Sequence, residues 1–172
     1  MEKIPVQFIE GCISSNSPEA FTLYKKSNFG EPIGEKIQYS LSEALFLAEK
    51  DKIEIFQRNK KIPLKELLKK IDRFDKRIHI KYPVFRNLRE RGYVVKTALK
   101  FGADFRVYDK GVKPGIKHAK WIVFADHEAK RITWHEFSAK NRVAHSTKKN
   151  LLLAIVDEEN DVSYYEVKWI RP

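Results

Sequence analysis

The chain has 172 residues, 42% hydrophobic and 12% aromatic, which is enough apolar mass for one large domain or two small ones and too much for bulk disorder. Lys and Arg number 34 against 23 Asp and Glu, a formal charge of +11, and the single cysteine, Cys12, excludes an intramolecular disulfide framework and any cysteine-based zinc site. No apolar run approaches the ~20 residues of a membrane helix, and no segment has the layout of a signal peptide, so a soluble cytoplasmic protein without a membrane partner is expected.

Residues 1–39 are punctuated by Gly11, Pro18, Gly30, Pro32 and Gly34 and read as short strands. "SLSEALFLAEKD" reads as a helix. Ser40 and Glu43 have capping-box spacing, and Leu41, Ala44, Leu45 and Ala48 share one face. "IEIFQRNKKI" reads as a strand with a basic turn. "PLKELLKKIDRFDKRI" reads as one helix running to Ile78, with Pro63 at its start and Leu64, Leu67, Leu68, Ile71, Phe74 and Ile78 as its apolar stripe. "YPVFRNLRERG" reads as a third helix with Pro83 in its first turn and Gly92 at its end. "YVVKTAL" and "DFRVYD" read as strands about a turn at 100–103, and "HAKWIVFA" as a strand that His118 begins. "TWHEFSAKNRVAHSTKK" is helical, with Thr133 and Glu136 in capping-box spacing, and "LLLAIVD" and "VSYYEVKWI" form a hairpin about the acidic "DEEND". The fold expected is α/β (α+β): a small mixed N-terminal domain at 1–81, then a C-terminal domain at 82–172 with a central mixed sheet flanked by helices.

The charge is uneven. Residues 1–81 hold 16 basic and 12 acidic side chains, and residues 82–172 hold 18 and 11. A polyanion fits the more basic C-terminal half, and nucleic acid is the commonest polyanion. The bland reading is a highly charged surface of the kind found in heat-loving proteins. Within this half, Tyr108 ends one strand and His118 lies ten residues on, across the basic loop "GVKPGIK". If the two strands are sheet neighbours, both side chains reach one end of the sheet, where sites usually form. Lys148 and Lys149 stand where a helix meets the next strand. A tyrosine, a histidine and a lysine can together cleave RNA, because RNA supplies its own nucleophile, the 2′-OH. Taken singly, each residue is more often structural, and His79, His127, His135 and His145 read as structural or solvent-facing. No metal-ligand spacing is present, and no metal or other cofactor is expected.

Three ordered strings decide between these readings: "YPVFRNLRERGYVVKTALKFGADFRVYDKG", "KHAKWIVF" and "RVAHSTKKNLLLAIVDEENDVSYYEVKWIRP". Over 82–172 they resemble the archaeal tRNA-splicing endonuclease family, whereas residues 1–81 resemble its N-terminal domain only loosely, through "SLSEALFLAEK". The resemblance implies a catalytic set of Tyr108 as general base, His118 as general acid and Lys149 as electrostatic stabiliser. It implies products with a 2′,3′-cyclic phosphate and a 5′-OH. A phenol ordinarily keeps its proton well above neutral pH, so Tyr108 is left with two roles, base or orienter of the 2′-OH. Asn150 departs from the family, which often has a basic residue there.

The resemblance also implies that Arg142 and Trp169 grip a flipped bulge base between two flat groups, by stacking and cation–π attraction. For Trp169 a partly buried structural role is an equal reading. The substrate implied is precursor tRNA with two bulges separated by a short helix. The assembly implied is a homotetramer, a dimer of dimers, in which the last strand pairs across the dimer and the acidic turn of Asp157, Glu158, Glu159 and Asp161 inserts into another protomer. Two rival readings are a non-catalytic structural subunit and a pure RNA-binding module of such a complex.

Overall fold

The computed structural model describes residues 3–172. The chain divides into two compact units, Met1–Tyr82 and Pro83–Pro172.

The first unit is a six-stranded sheet with helices. Strands β1 (Ile4–Ile9) and β2 (Cys12–Ser15) form a hairpin, and helix α1 (Pro18–Ser27) follows. Strands β3 (Glu31–Ile33) and β4 (Lys36–Tyr39) form a second hairpin before α2 (Leu41–Glu49). Strands β5 (Ile53–Gln57) and β6 (Lys60–Lys61) and helix α3 (Leu64–Phe74) complete the order β3-β4-β2-β1-β5-β6. β5 lies parallel to β1, with Val6 beside Ile55, and the alternation of β1 buries Ile4, Val6 and Phe8. The α2 capping box forms as its spacing predicts, and Glu43 reaches further. Its second carboxylate oxygen accepts from the Gly30 amide at 3.0 Å. Gly30 has φ +75, and a Cβ there would come within 2.3 Å of Ile37, so only glycine fits the approach.

Three expectations need correction. Residues 1–39 are not all strand: Ser17 caps α1 and Pro18 opens it, a start signal outweighed in the sequence by the surrounding turn residues. The helix opened by Pro63 stops at Phe74, where Asp75 leaves helical geometry (φ −139). Helix α4 then runs Ile78–Glu90, so Ile78 belongs to it and Pro83 lies inside it rather than in its first turn. Third, Leu64 and Phe74 end the apolar stripe half exposed, and Phe74 packs edge-on against Phe8.

The second unit is a five-stranded sheet in the order β11-β10-β9-β8-β7, from β7 (Val94–Thr97), β8 (Phe105–Tyr108), β9 (Trp121–His127), β10 (Asn150–Val156) and β11 (Val162–Val167). Helix α5 (Trp134–Ser146), opened by the Thr133–Glu136 capping box, is the crossover that makes β9 and β10 parallel. The other neighbours are antiparallel. Ile122, Leu151, Ala144, Ala98 and Ala103 form a core under α5, while Val84, Phe85 and Leu88 of α4 are buried and Phe85 packs on Phe105. Asp126 on β9 is a buried charge, answered by Lys130 and by Lys140 of α5. Burial pushes its carboxyl up, but the bonds and charges of the two lysines outweigh burial and hold it below the usual carboxylate range. Among the described residues, no helix is long and apolar enough to cross a membrane.

Candidate active site

Sheet topology gathers the site. β9 and β10 are parallel, so their first residues lie together, and Asn150 stands beside Trp121. β8 is antiparallel to β9, so its last residue reaches the same end, with Val107 opposite Trp121. Two backbone bonds lock the junction: the Lys120 amide donates to Val107 O at 2.8 Å, and the Asn150 amide donates to Lys120 O at 3.1 Å. Residues at and just beyond these three strand ends therefore share one end of the sheet, although 41 positions separate Tyr108 from Lys149 in the chain.

Tyr108 closes β8 and is buried, packed with Val94, Ala119 and Val112. His118 is exposed in the loop between β8 and β9. It does not begin the strand, which starts three residues later at Trp121. Ala119, packed against Tyr108, anchors that stretch, so His118 is tethered one residue from the Tyr108 cluster. Lys149 sits between α5 and β10. Lys148 before it takes a left-handed turn (φ 55), which swings the chain from the helix into the strand. The Lys149 ammonium donates to Thr147 O at 2.8 Å and lies 5.7 Å from the Phe101 ring centre. Burial pushes its pKa below the ordinary lysine range, and the Arg106 guanidinium acts in the same direction. The charged form of Lys149 is thus disfavoured where it stands, by partial burial first and by the neighbouring cation second. Asn150 donates to Glu166 at 2.6 Å, a neutral anchor between β10 and β11.

β11 runs antiparallel to β10, so its far end returns to the same edge, with Val167 opposite Leu151. Trp169 lies two residues past β11 and is 56% exposed. Trp169 and Arg142 line one groove of about 560 Å³, with Phe137, His145, Lys168 and Ile170. A smaller hollow of about 180 Å³ shares His145, Lys168 and Trp169 and includes Lys149. The structure therefore brings Arg142 and Trp169 to one groove that adjoins Lys149. It sets the acidic turn at the opposite end, beyond Val156.

Two features escaped the sequence reading. His145 packs on Trp169 with ring centres 4.9 Å apart, so it belongs to the groove. The signal was its place three residues after Arg142, on the same face of α5. Tyr93 meets Trp121 edge-on at 5.5 Å, and Lys120 lies 4.3 Å from the Trp121 ring centre, which puts an aromatic and cationic cluster at the same sheet end. No sequence spacing announces it, because strand pairing creates it. Among the described residues, no group of three His, Cys, Asp or Glu side chains is placed to hold a metal ion.

In the acidic turn, the Asp157 carboxylate accepts from the amides of Glu159 and Asp161, both at 2.9 Å, and Asn160 takes a left-handed conformation. Glu158 is 81% exposed at its side chain and lies 3.8 Å from His127. Asp157 thus shapes the turn, while Glu158, Glu159 and Asp161 face outward.

Comparison with known proteins bears on both units. Residues 78–164 match the model of the tRNA intron endonuclease catalytic C-terminal domain, and residues 10–68 match that of the tRNA intron endonuclease N-terminal domain. The first match spans Tyr108, His118, Arg142, Lys149 and the acidic turn, and stops short of Trp169. The chain is 42% identical to a tRNA-splicing endonuclease of Thermococcus onnurineus over 153 residues, covering 87% of this chain and 85% of the relative. It is 38% identical to one of Pyrococcus horikoshii over 172 residues, covering 98% and 99%. It is 43% identical to one of Nanoarchaeum equitans over 138 residues, covering 77% and 88%.

Proposed function

From the premise that the chain belongs to the tRNA intron endonuclease family, we propose that it is a cytoplasmic tRNA-splicing endonuclease that cuts precursor tRNA at bulge-helix-bulge exon–intron junctions. The observation that carries the reading is the gathering of Tyr108, the His118 loop and Lys149 at one end of the C-terminal sheet. Tyr108 takes the 2′-OH proton, or orients that hydroxyl for attack. The 2′-oxygen bonds to the adjacent phosphorus and the bond to the 5′-oxygen breaks. His118 gives that oxygen its proton, which leaves a 2′,3′-cyclic phosphate and a 5′-OH. Lys149 steadies the charge that grows on the phosphoryl oxygens. It suits the task because partial burial and Arg106 disfavour its charged form, so an arriving anion would relieve part of that cost.

The Arg142–Trp169 groove offers a guanidinium and an indole to a splayed base, with His145 backing the indole. Bulged bases are readable where A-form helices hide theirs, so shape readout fits such a groove. The working assembly is a homotetramer built from dimers. Supporting it are β11, a sheet edge carrying exposed Tyr165, and outward carboxylates on a turn of an otherwise basic half.

The test is cleavage of an intron-containing tRNA in EDTA. Three side chains provide the base, the acid and the cation, so cutting should persist, with cyclic-phosphate ends. Loss of activity in EDTA, restored by magnesium too dilute to affect RNA folding, removes the metal-free mechanism. Absence of cutting in every buffer removes the enzyme in favour of a structural subunit.

A further inference from the structure

The solvent pole of α3 carries Lys65, Lys69 and Arg73, each four residues from the next and all exposed. Leu67 and Ile71 are buried on the far side, so this row points directly away from the core. None of the three has an ion-pair or hydrogen-bond partner among the described residues. The acids that flank the row are committed elsewhere: Glu66 to Lys70 at 3.2 Å, and Asp72 to Lys76 at 2.9 Å and His79 at 3.3 Å.

Helix stability does not ask for this row. Like charges at i, i+4 destabilise a helix, and a single Glu at 69 would pair with both neighbours. A surface tuned only for heat would also mix its signs, as the flanks of the same helix do. The β5–β6 turn of the same unit carries two more exposed cations, Arg58 and Lys60. Arg58 and Lys60 line a hollow of about 460 Å³ that reaches Glu66 in the first turn of α3. Arg58 holds φ 48, a left-handed position that glycine or asparagine would fill with less strain. A cation is thus kept where the backbone favours another residue.

We infer that this face of the N-terminal unit is a second RNA-binding surface, which grips the phosphate backbone of helical precursor RNA away from the bulges. The inference rests on the endonuclease reading for the identity of the polyanion. Successive residues of the row rise about 6 Å along the helix, comparable to the spacing of phosphates along a strand. Lysines and an arginine so placed neutralise phosphates without reading sequence. The surface therefore adds affinity and orientation to a substrate whose chemistry happens elsewhere.

The test compares wild type with K65Q/K69Q/R73Q, which removes charge and keeps good helix formers. Binding of a full intron-containing tRNA is measured against salt, together with single-turnover cleavage at saturating RNA and solution mass by light scattering. The variant should bind at least tenfold more weakly near 0.1 M salt. Its salt slope should be smaller by about 2–3, at about 0.7–0.9 per phosphate contact. The saturated cleavage rate, melting temperature and mass should match wild type. Equal affinity and slope in the two proteins overturn the inference while leaving the endonuclease standing. A changed mass with an unchanged slope assigns the row to a protein contact and also overturns it. Failure of the wild type itself to bind or cut RNA overturns both readings together.

Discussion

His118 is exposed at the rim of the sheet, tethered through Ala119 to the Tyr108 cluster. If His118 protonates the leaving oxygen, as proposed, its loss should slow the step and spare binding. We expect His118→Ala to cut roughly 10²–10⁴-fold more slowly, with RNA affinity held, and a near-normal single-turnover rate moves the acid elsewhere. Lys149 separates stability from function. The fold disfavours its charged form, so near neutral pH the ammonium is a burden on stability that lifts only as pH rises through its lowered pKa. Lys149→Met keeps the stem over Phe101 and removes the charge. The melting temperature should hold or rise, while cleavage falls by about 10²–10³-fold, as for loss of a charge-stabilising donor. A lower melting temperature means that the ammonium's bond to Thr147 O outweighs its desolvation. Asp126 is the opposite case. Its folded pKa is depressed, so its stabilisation is complete above the ordinary carboxylate pKa and disappears as pH falls through the folded value. Asp126→Asn should lose about 2 kcal/mol at neutral pH, a buried pair discounted for the half-exposed Lys130, and chemical denaturation should show the gap to wild type closing in acid.

At the scale of elements, the β10–β11 hairpin divides its labour. Strand pairing from Leu151–Val167 to Val156–Val162 holds it together, and Asp157 shapes its tip by accepting two amides. The outward carboxylates of Glu158, Glu159 and Asp161 add little to the protomer, as exposed charges usually do. Across an interface they would be partly desolvated against cations, where losing them costs more. E158S/E159S/D161S, which spares Asp157, should therefore turn the proposed tetramers into dimers without lowering the melting temperature. An unchanged mass in light scattering makes the turn a plain hairpin tip. Helix α5 meets the groove along one face, through Phe137, Arg142 and His145. Arg142→Ala should weaken cutting of bulged RNA by about 1–3 kcal/mol in kcat/KM, the worth of one stacking partner. Equal values for variant and wild type retire the clamp.

For the whole molecule, the formal charge of +11 suits a polyanion, which the proposed function makes RNA. Binding should weaken steeply with salt, since each neutralised phosphate releases counterions, and a flat response between low and physiological ionic strength removes the RNA role from the basic surface. The two units divide that surface. On the proposed reading the C-terminal sheet end holds the chemistry beside a groove of about 560 Å³, while α3 presents exposed cations. Losses at the first should appear in rate and losses at the second in affinity.

The sequence by itself determined the features that local chemistry controls. Ser40–Glu43 and Thr133–Glu136 cap helices wherever the rest of the chain lies, and the apolar run after Asn150 makes a buried strand. Ordered strings from 82 to 172 were long enough to name a family without a fold. The break at Asp75 was hidden because the apolar period continues through it to Ile78, and Pro83 misled because proline usually marks a helix start whereas α4 begins at Ile78. Only tertiary structure decided the placement of the proposed site residues. The strand ends that carry Tyr108, the His118 loop and Lys149 share one end of the sheet because β9 and β10 run parallel through the α5 crossover while β8 runs against them, and pairing direction is a non-local property that no spacing encodes. The same holds for His145 against Trp169: a histidine on a helix and a tryptophan past a strand become one wall of a groove only when β11 folds back along β10.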